Sequence, residues 1–229
     1  LAGTGKMYVY DSPEYVKDMG TPDRYESVCR DFSEGKVKAR NLHNKQKAVF
    51  LDRDGVINKY VGFLRNIDDF ELLDGVSKAI RKINESGYLA IVVTNQPVIA
   101  RGEVSFAELT EIHNKMETLL GEDGAYLDAI YFCPHHPDKG FDGEIPELKF
   151  DCDCRKPKPG MLIKAAKKFN IDLTKSWMVG DSDSDIMAGK NAGCSTVLIG
   201  ESDENMCASN LLEAVDYIIG RKDYKNGSN

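Results

Sequence analysis

From residue 47 onward the chain alternates two patterns. Short runs of consecutive apolar residues give way to longer stretches in which apolar positions recur every three or four. Residues 47–51, 88–93, 127–132, 177–179 and 194–199 form the runs, and each predicts a buried strand. Residues 75–86 carry Val76, Ala79, Ile80 and Ile83 at helical spacing. Residues 105–120 predict a second helix, with Ser105 and Glu108 placed for a capping box. Residues 160–169 and 183–192 predict two more, the latter with acids in the first turn, where the helix dipole favours them. A helix near Leu211 and a short strand over 217–219 follow. Strands alternating with helices predict an α/β domain over 46–222, a Rossmann-like parallel sheet covered on both faces. Residues 1–45 are polar and turn-rich, with one short helix over 24–32, and read as a separate segment or linker. Residues 223–229 read as a disordered tail.

Composition narrows the class. The chain has 229 residues, 41% hydrophobic and 29% charged, enough for a core without disulfides. No apolar run approaches the roughly 18 residues of a membrane span, and no signal-peptide pattern is visible. The net charge of −7 argues against nucleic acid as a partner. A monomer in the cytoplasm is expected. In that setting, cysteines crowded with histidines between Cys133 and Cys154 read as a metal site rather than disulfides. Gly3-Thr4-Gly5-Lys6 looks like the end of a phosphate loop, but Met7 follows where a Ser or Thr is needed.

In open parallel sheets, chemistry sits beyond the carboxyl ends of the strands. There the sequence places Asp52, Arg53, Asp54 and Gly55, then Thr94, Asn95 and Gln96, then Cys133 to His136, then Gly180 to Asp185. Asp52 and Asp54 are too close to coexist as bare carboxylates without a cation or divided roles. With Asp181 and Asp185 they make an oxygen-rich set suited to Mg²⁺. Thr94, Arg155, Lys156 and Lys158 add a hydroxyl and positive charge. Acids, a hydroxyl and a lysine are the equipment of phosphoryl transfer.

Four segments in order, L-D-R-D-G-V-I-N at 51–58, T-N-Q at 94–96, R-K-P-K-P-G at 155–160 and G-D-S-D-S-D at 180–185, resemble the four motifs of the haloacid dehalogenase superfamily of phosphatases. Within it, those segments together with Y-F-C-P-H-H-P at 131–137 and C-D-C-R-K-P-K-P-G-M at 152–161 are most similar to the heptose bisphosphate phosphatases, with histidinol phosphatases close by. The likeness spans about residues 46–201. It implies Asp52 as nucleophile and Asp54 as general acid and base. It implies Mg²⁺ held by Asp52, the Asp54 carbonyl and Asp181, with Asp185 supporting or ligating. Thr94 and Lys156 would bind the phosphoryl group, and Arg53, Asn95 and Arg155 would contact substrate, a small phosphorylated sugar. Cys133, His135, Cys152 and Cys154 would form a closed, structural Zn²⁺ site, with His136 the alternative ligand. Zinc would staple the long, aperiodic stretch 134–151 and steady Arg155 and Lys156, so its loss should harm activity and folding alike. No large cap domain is expected.

Two departures stand out. Pro97 and Val98 occupy positions where the family more often has small residues, and Ser182 stands where relatives often have Lys. Met7 to Tyr25 resembles the end of a sugar nucleotidyltransferase domain. With no Met at position 1, that suggests a piece of a bifunctional protein in which a nucleotidyltransferase is fused to, or associated with, the phosphatase. Three other readings compete: the same chemistry on histidinol phosphate, a catalytically idle zinc-stapled interaction module, and a polynucleotide-end phosphatase. Cys29, Cys194, Cys207, His43 and His113 read as free or structural.

Overall fold

The computed structural model describes residues 14–203 and 205–225. Five strands form a parallel sheet with a two-residue sixth at its edge: β1 (Ala48–Leu51), β2 (Leu89–Asn95), β3 (Ala129–Cys133), β4 (Trp177–Gly180), β5 (Ser195–Ile199) and β6 (Cys207–Ala208). The order across the sheet is β3-β2-β1-β4-β5-β6, and every pairing is parallel. β1 and β4 lie side by side at the centre, with Leu51 opposite Val179, so the residues that follow each strand emerge together.

The helices, in chain order, are α1 (Pro22–Ser33), α2 (Lys36–Ala39), α3 (Val76–Glu85), α4 (Pro97–Ala100), α5 (Phe106–Glu122), α6 (Gly160–Phe169), α7 (Asp183–Ala192) and α8 (Leu211–Lys225). The two-residue period of the strands divides the core. Val49, Leu51, Ala90, Val92 and Val179 pack under α3, α5 and α8. Ala48, Phe50, Leu89, Ile91, Val93 and Met178 face α6 and α7 on the other side. Both faces are covered, which is why the central strands read as unbroken apolar runs rather than alternating ones.

The expected strands and helices are all present except one. Residues 217–219 lie within α8 rather than forming a strand. Val215 and Ile218 turn towards the core with Leu211 and Ala214 at helical spacing, so helical burial explains the apolar run that resembled a strand. The helix also takes in the first residues of the expected tail, and 226–229 fall outside the described residues. The capping box at Ser105 and Glu108 is formed in both directions. The short β6, α2 and α4 were too brief for periodicity to show.

Residues 14–45 dock at the end of the sheet opposite the strand carboxyl ends. Arg40 pairs with Asp128 at 2.6 Å, and Asn170 donates to the Leu42 carbonyl. Asp31 is gripped by Tyr15, Lys17 and Lys36, which together hold its carboxyl well below the usual carboxylate range. The Met7–Pro13 part of the transferase-like stretch lies outside the described residues.

Candidate active site

A cavity of about 300 Å³ opens beyond the carboxyl ends of β1, β2 and β4. Asp52, Asp54, Thr94, Asn95, Arg155, Lys156, Asp181 and Asp185 line it. They come from four separate stretches of sequence, and the parallel topology alone brings them together. Gly55 adopts φ +81°, and a Cβ there would fall 2.0 Å from Asp181 Oδ2. The turn after β1 therefore lies directly against the Asp181 carboxylate, which only glycine permits.

Lys156 Nζ is the electrostatic centre. It lies 2.7 Å from Asp52 Oδ1 and 2.5 Å from Asp185 Oδ1, and it donates to the Val93 carbonyl at 2.8 Å. Burial alone would depress this lysine, but Asp52 and Asp185 outweigh it and hold its pKa above the ordinary value. Burial pushes Asp52 up to about 7; Lys156 opposes the shift, and Asp185 and Asp54 reinforce it. Asp181 is raised too, by burial first and then by Asp185.

Asp52, Asp181 and Asp185 each offer a carboxylate oxygen, all within 4.8 Å of one another. Three carboxylates face a single ammonium there, an excess of two negative charges in a partly dry site. That donor set fits a divalent, oxygen-preferring cation. The Asp54 side chain is not part of this group. Arg53 holds both its oxygens, at 2.9 and 2.8 Å, while Asn58 and Gln96 donate to it at 3.0 and 2.9 Å.

A second cluster lies nearby. Cys133 Sγ is 3.4 Å from Cys152 Sγ and 3.2 Å from Cys154 Sγ; His135 Nδ1 is 3.3 Å from Cys154 Sγ. These separations are far too long for disulfides and close to the edges of a coordination tetrahedron. Hydrogen bonding among the thiols pulls them apart electrostatically: Cys133 is held far above its usual value, and Cys154 is pushed down to about 5. Four ligand atoms converging in this way, three of them sulfurs, fit a thiophilic metal ion. His136 is not among them; it lies against Arg101, 3.3 Å from its guanidinium.

Comparison with known proteins agrees with this geometry. A HAD-hydrolase-like family model matches residues 153–219. A D-glycero-β-D-manno-heptose-1,7-bisphosphate 7-phosphatase of Haemophilus ducreyi is 41% identical over 184 residues, covering 76% of this chain and 98% of the relative. An α-anomer counterpart from Photorhabdus laumondii is 44% identical, covering 77% and 98%. The solved D,D-heptose 1,7-bisphosphate phosphatase of B. bronchiseptica, complexed with magnesium and phosphate, superimposes with a TM-score of 0.67 at 32% identity, covering 77% of this chain and 99% of that one. The chain belongs to the heptose-1,7-bisphosphate 7-phosphatase family. It is a phosphatase of the haloacid dehalogenase fold, and the magnesium in its structural neighbour matches the oxygen-rich donor set.

The structure of this phosphatase brings most of the expected site residues to the cavity and leaves one out of its wall. Arg53, expected to contact substrate, is fully buried and absent from the cavity wall. Its fork is spent on Asp54, and its Nη1 lies 3.4 Å from His113 Nε2. Asn95 has a structural duty besides lining the cavity: its amide bonds both the N–H and the carbonyl of Lys156. Ser182, where a cation was missed, caps α7 with Asp185 and donates to that carboxylate at 2.6 Å. Pro97 and Val98 start α4, and Val98 is buried with Ile99, Val104 and Leu109.

Sequence reasoning assigned no role to Gln96 or Asn58 and read His113 only as free or structural. Gln96 Nε2 bridges Asp54 and the Thr94 hydroxyl. Its place one residue beyond a strand end was the available signal. Asn58 and His113 gave none, because their partners are distant in sequence or hidden inside the turn. No helix among the described residues is long and apolar enough to cross a membrane.

Proposed function

We propose that this phosphatase removes the 7-phosphate of D-glycero-D-manno-heptose 1,7-bisphosphate through an aspartyl-phosphate on Asp52. The observation that carries the reading is the division of labour between the two acids two residues apart. Asp52 faces the cavity beside Lys156, whereas Asp54 is oriented by Arg53, Asn58 and Gln96. One is placed to attack and the other to move a proton.

In the first step an Asp52 oxygen attacks phosphorus and the bond from phosphorus to the sugar oxygen breaks. Asp54 gives its proton to that leaving oxygen. In the second step Asp54 takes a proton from water, the water oxygen attacks phosphorus, and the bond to Asp52 breaks, releasing inorganic phosphate. Lys156 and the Thr94 hydroxyl bind the phosphoryl oxygens, and Arg155 and Asn95 contact the sugar end of the substrate. Asp52, the Asp54 carbonyl and Asp181, with Asp185, would hold Mg²⁺, which when bound neutralises the two anions that must approach each other. Cys133, His135, Cys152 and Cys154 would hold Zn²⁺ with no open position, hence structurally. The Met7–Tyr25 likeness supports a sugar nucleotidyltransferase as fused neighbour or partner, acting on the sugar 1-phosphate that this reaction leaves.

The decisive test compares kcat/KM for both anomers of heptose 1,7-bisphosphate with histidinol phosphate, with Mg²⁺ present. Preference for one heptose anomer supports the proposal. Preference for histidinol phosphate, or none, rejects the substrate while leaving the phosphatase chemistry intact.

A further inference from the structure

Among the described residues there is no large cap domain, and the far wall of the cavity is the irregular segment that carries Tyr60, Gly62, Phe63 and Leu64. Among the described residues, no backbone–backbone hydrogen bond ties residues 60–65 to the rest of the chain. Leu64 plugs into the core at 2% exposure, whereas Phe63 is 40% exposed and has a cation over its ring. The Arg101 guanidinium lies 4.3 Å from the Phe63 ring centroid and 4.4 Å from that of Phe141, stacked between the two. Arg101 Nη2 meets His136 Nε2 at 3.3 Å, and Phe141 sits edge-on to the His136 ring. Arg101 Nε is buried with no acceptor. The residue thus uses both faces of its guanidinium and only part of its edge, a use for which a planar guanidinium is suited and a lysine is not.

We infer that Arg101 is a positioning residue for substrate selection: it clamps the Phe63 wall of the cavity to the 134–151 loop through Phe141. The inference rests on the proposed sugar substrate for its kinetic readout, though not for its structural one. A sugar bisphosphate must lie against that wall, whereas a small phosphoryl donor needs only the strand-end acids. Arg65, on the outer side, adds a weaker hold: it lies 5.6 Å from the Phe63 ring and is paired with Glu103.

The test compares wild type with Arg101→Leu, Arg101→Lys, Phe63→Ala and the Arg101→Leu/Phe63→Ala double variant. Each is assayed on heptose 1,7-bisphosphate and on acetyl phosphate, and each is probed by chymotrypsin at residues 60–64. Arg101→Leu should raise KM for the bisphosphate about tenfold, the loss expected from one desolvated cation–π stack, and leave acetyl phosphate turnover within about twofold. Arg101→Lys should recover part of the loss. The double variant should be no worse than the worse single, because the two residues act as one unit. Chymotryptic cleavage at 60–64 should accelerate about fivefold or more in Arg101→Leu. Equal losses on both substrates, additive losses in the double variant, or unchanged cleavage would overturn the clamp. Phe63→Ala, at an exposed position, keeps the test open should Arg101→Leu fail to fold. If wild type itself shows no preference for the bisphosphate, the substrate reading fails and the cleavage rate alone decides the clamp.

Discussion

The two candidate metal clusters lie close together and are built on opposite principles. The acidic one stands on the ends of central strands, and its carboxylates are held in place by groups that remain when no metal is bound: Lys156 pairs with Asp52 and Asp185, and Ser182 fixes the other Asp185 oxygen. The thiol cluster draws Cys133 from the end of β3 and the other three ligands from a stretch with only one short 3₁₀ turn, at Pro146–Leu148. Its sulfurs lie chiefly against one another, the His135 imidazole and the His135 carbonyl. The first cluster is organised by the fold, and on the proposed reading a metal would be added to it. On the same reading the second would depend on a metal to organise the chain around it.

That contrast can be broken at several points. The largest effect should come from Asp52→Asn, which removes the attacking oxygen and should cost at least about 10⁴-fold in kcat. Thermal stability should hold or rise, since one of three crowded carboxylates is neutralised; a cooperative loss of fold would show that the acidic cluster is structural after all. Next is Arg53→Gln. With the fork gone, Asp54 loses its orientation, and kcat should fall about a hundredfold even though Arg53 does not line the cavity. An unchanged kcat would mean that Asn58 and Gln96 suffice.

Verified zinc removal should lower activity about ten- to a hundredfold and loosen residues 134–151 to hydrogen exchange. Magnesium removal should abolish turnover yet leave that stretch protected. Equal loosening after both treatments would erase the distinction.

The smallest effect concerns His113. Burial, reinforced by the Arg53 charge and opposed by Asp54, pulls its pKa down to about 4 from an ordinary 6.5. The folded state thus binds the proton less readily than the unfolded one. Stability should fall as pH drops from 6.5 towards 4, by at most about 1.4 kcal/mol per pH unit. His113→Gln should flatten that slope in urea denaturation at successive pH values, and parallel curves for the two proteins would remove His113 from the account.

The sequence showed the acidic cluster more fully than its supports. Asp52, Asp54, Thr94, Lys156 and Asp181 each follow a strand or stand in a motif, so linear pattern and topology agree. Arg53 was expected at the substrate from the family resemblance alone. Only the structure shows that its side chain folds inward onto Asp54 and His113. The clamp at Arg101 was invisible for a related reason: Phe63, Arg101 and Phe141 are about forty residues apart in turn, on segments with no period of their own. Residues 217–219 misled because a buried helical face and a short strand look alike over three residues.

Gly102 approaches the 134–151 loop so closely that a Cβ there would fall 1.9 Å from the Gly143 carbonyl oxygen, and Ile145 donates its N–H to the Ala100 carbonyl. The turn after α4 and the metal loop are therefore moulded to each other backbone against backbone. For anyone seeking to retune this pocket by exchanging loops between phosphatases, the two are one part. Residues 96–102 and 134–151 must be grafted together, and side chains such as those at 63, 97 and 98 are the places left for piecemeal change.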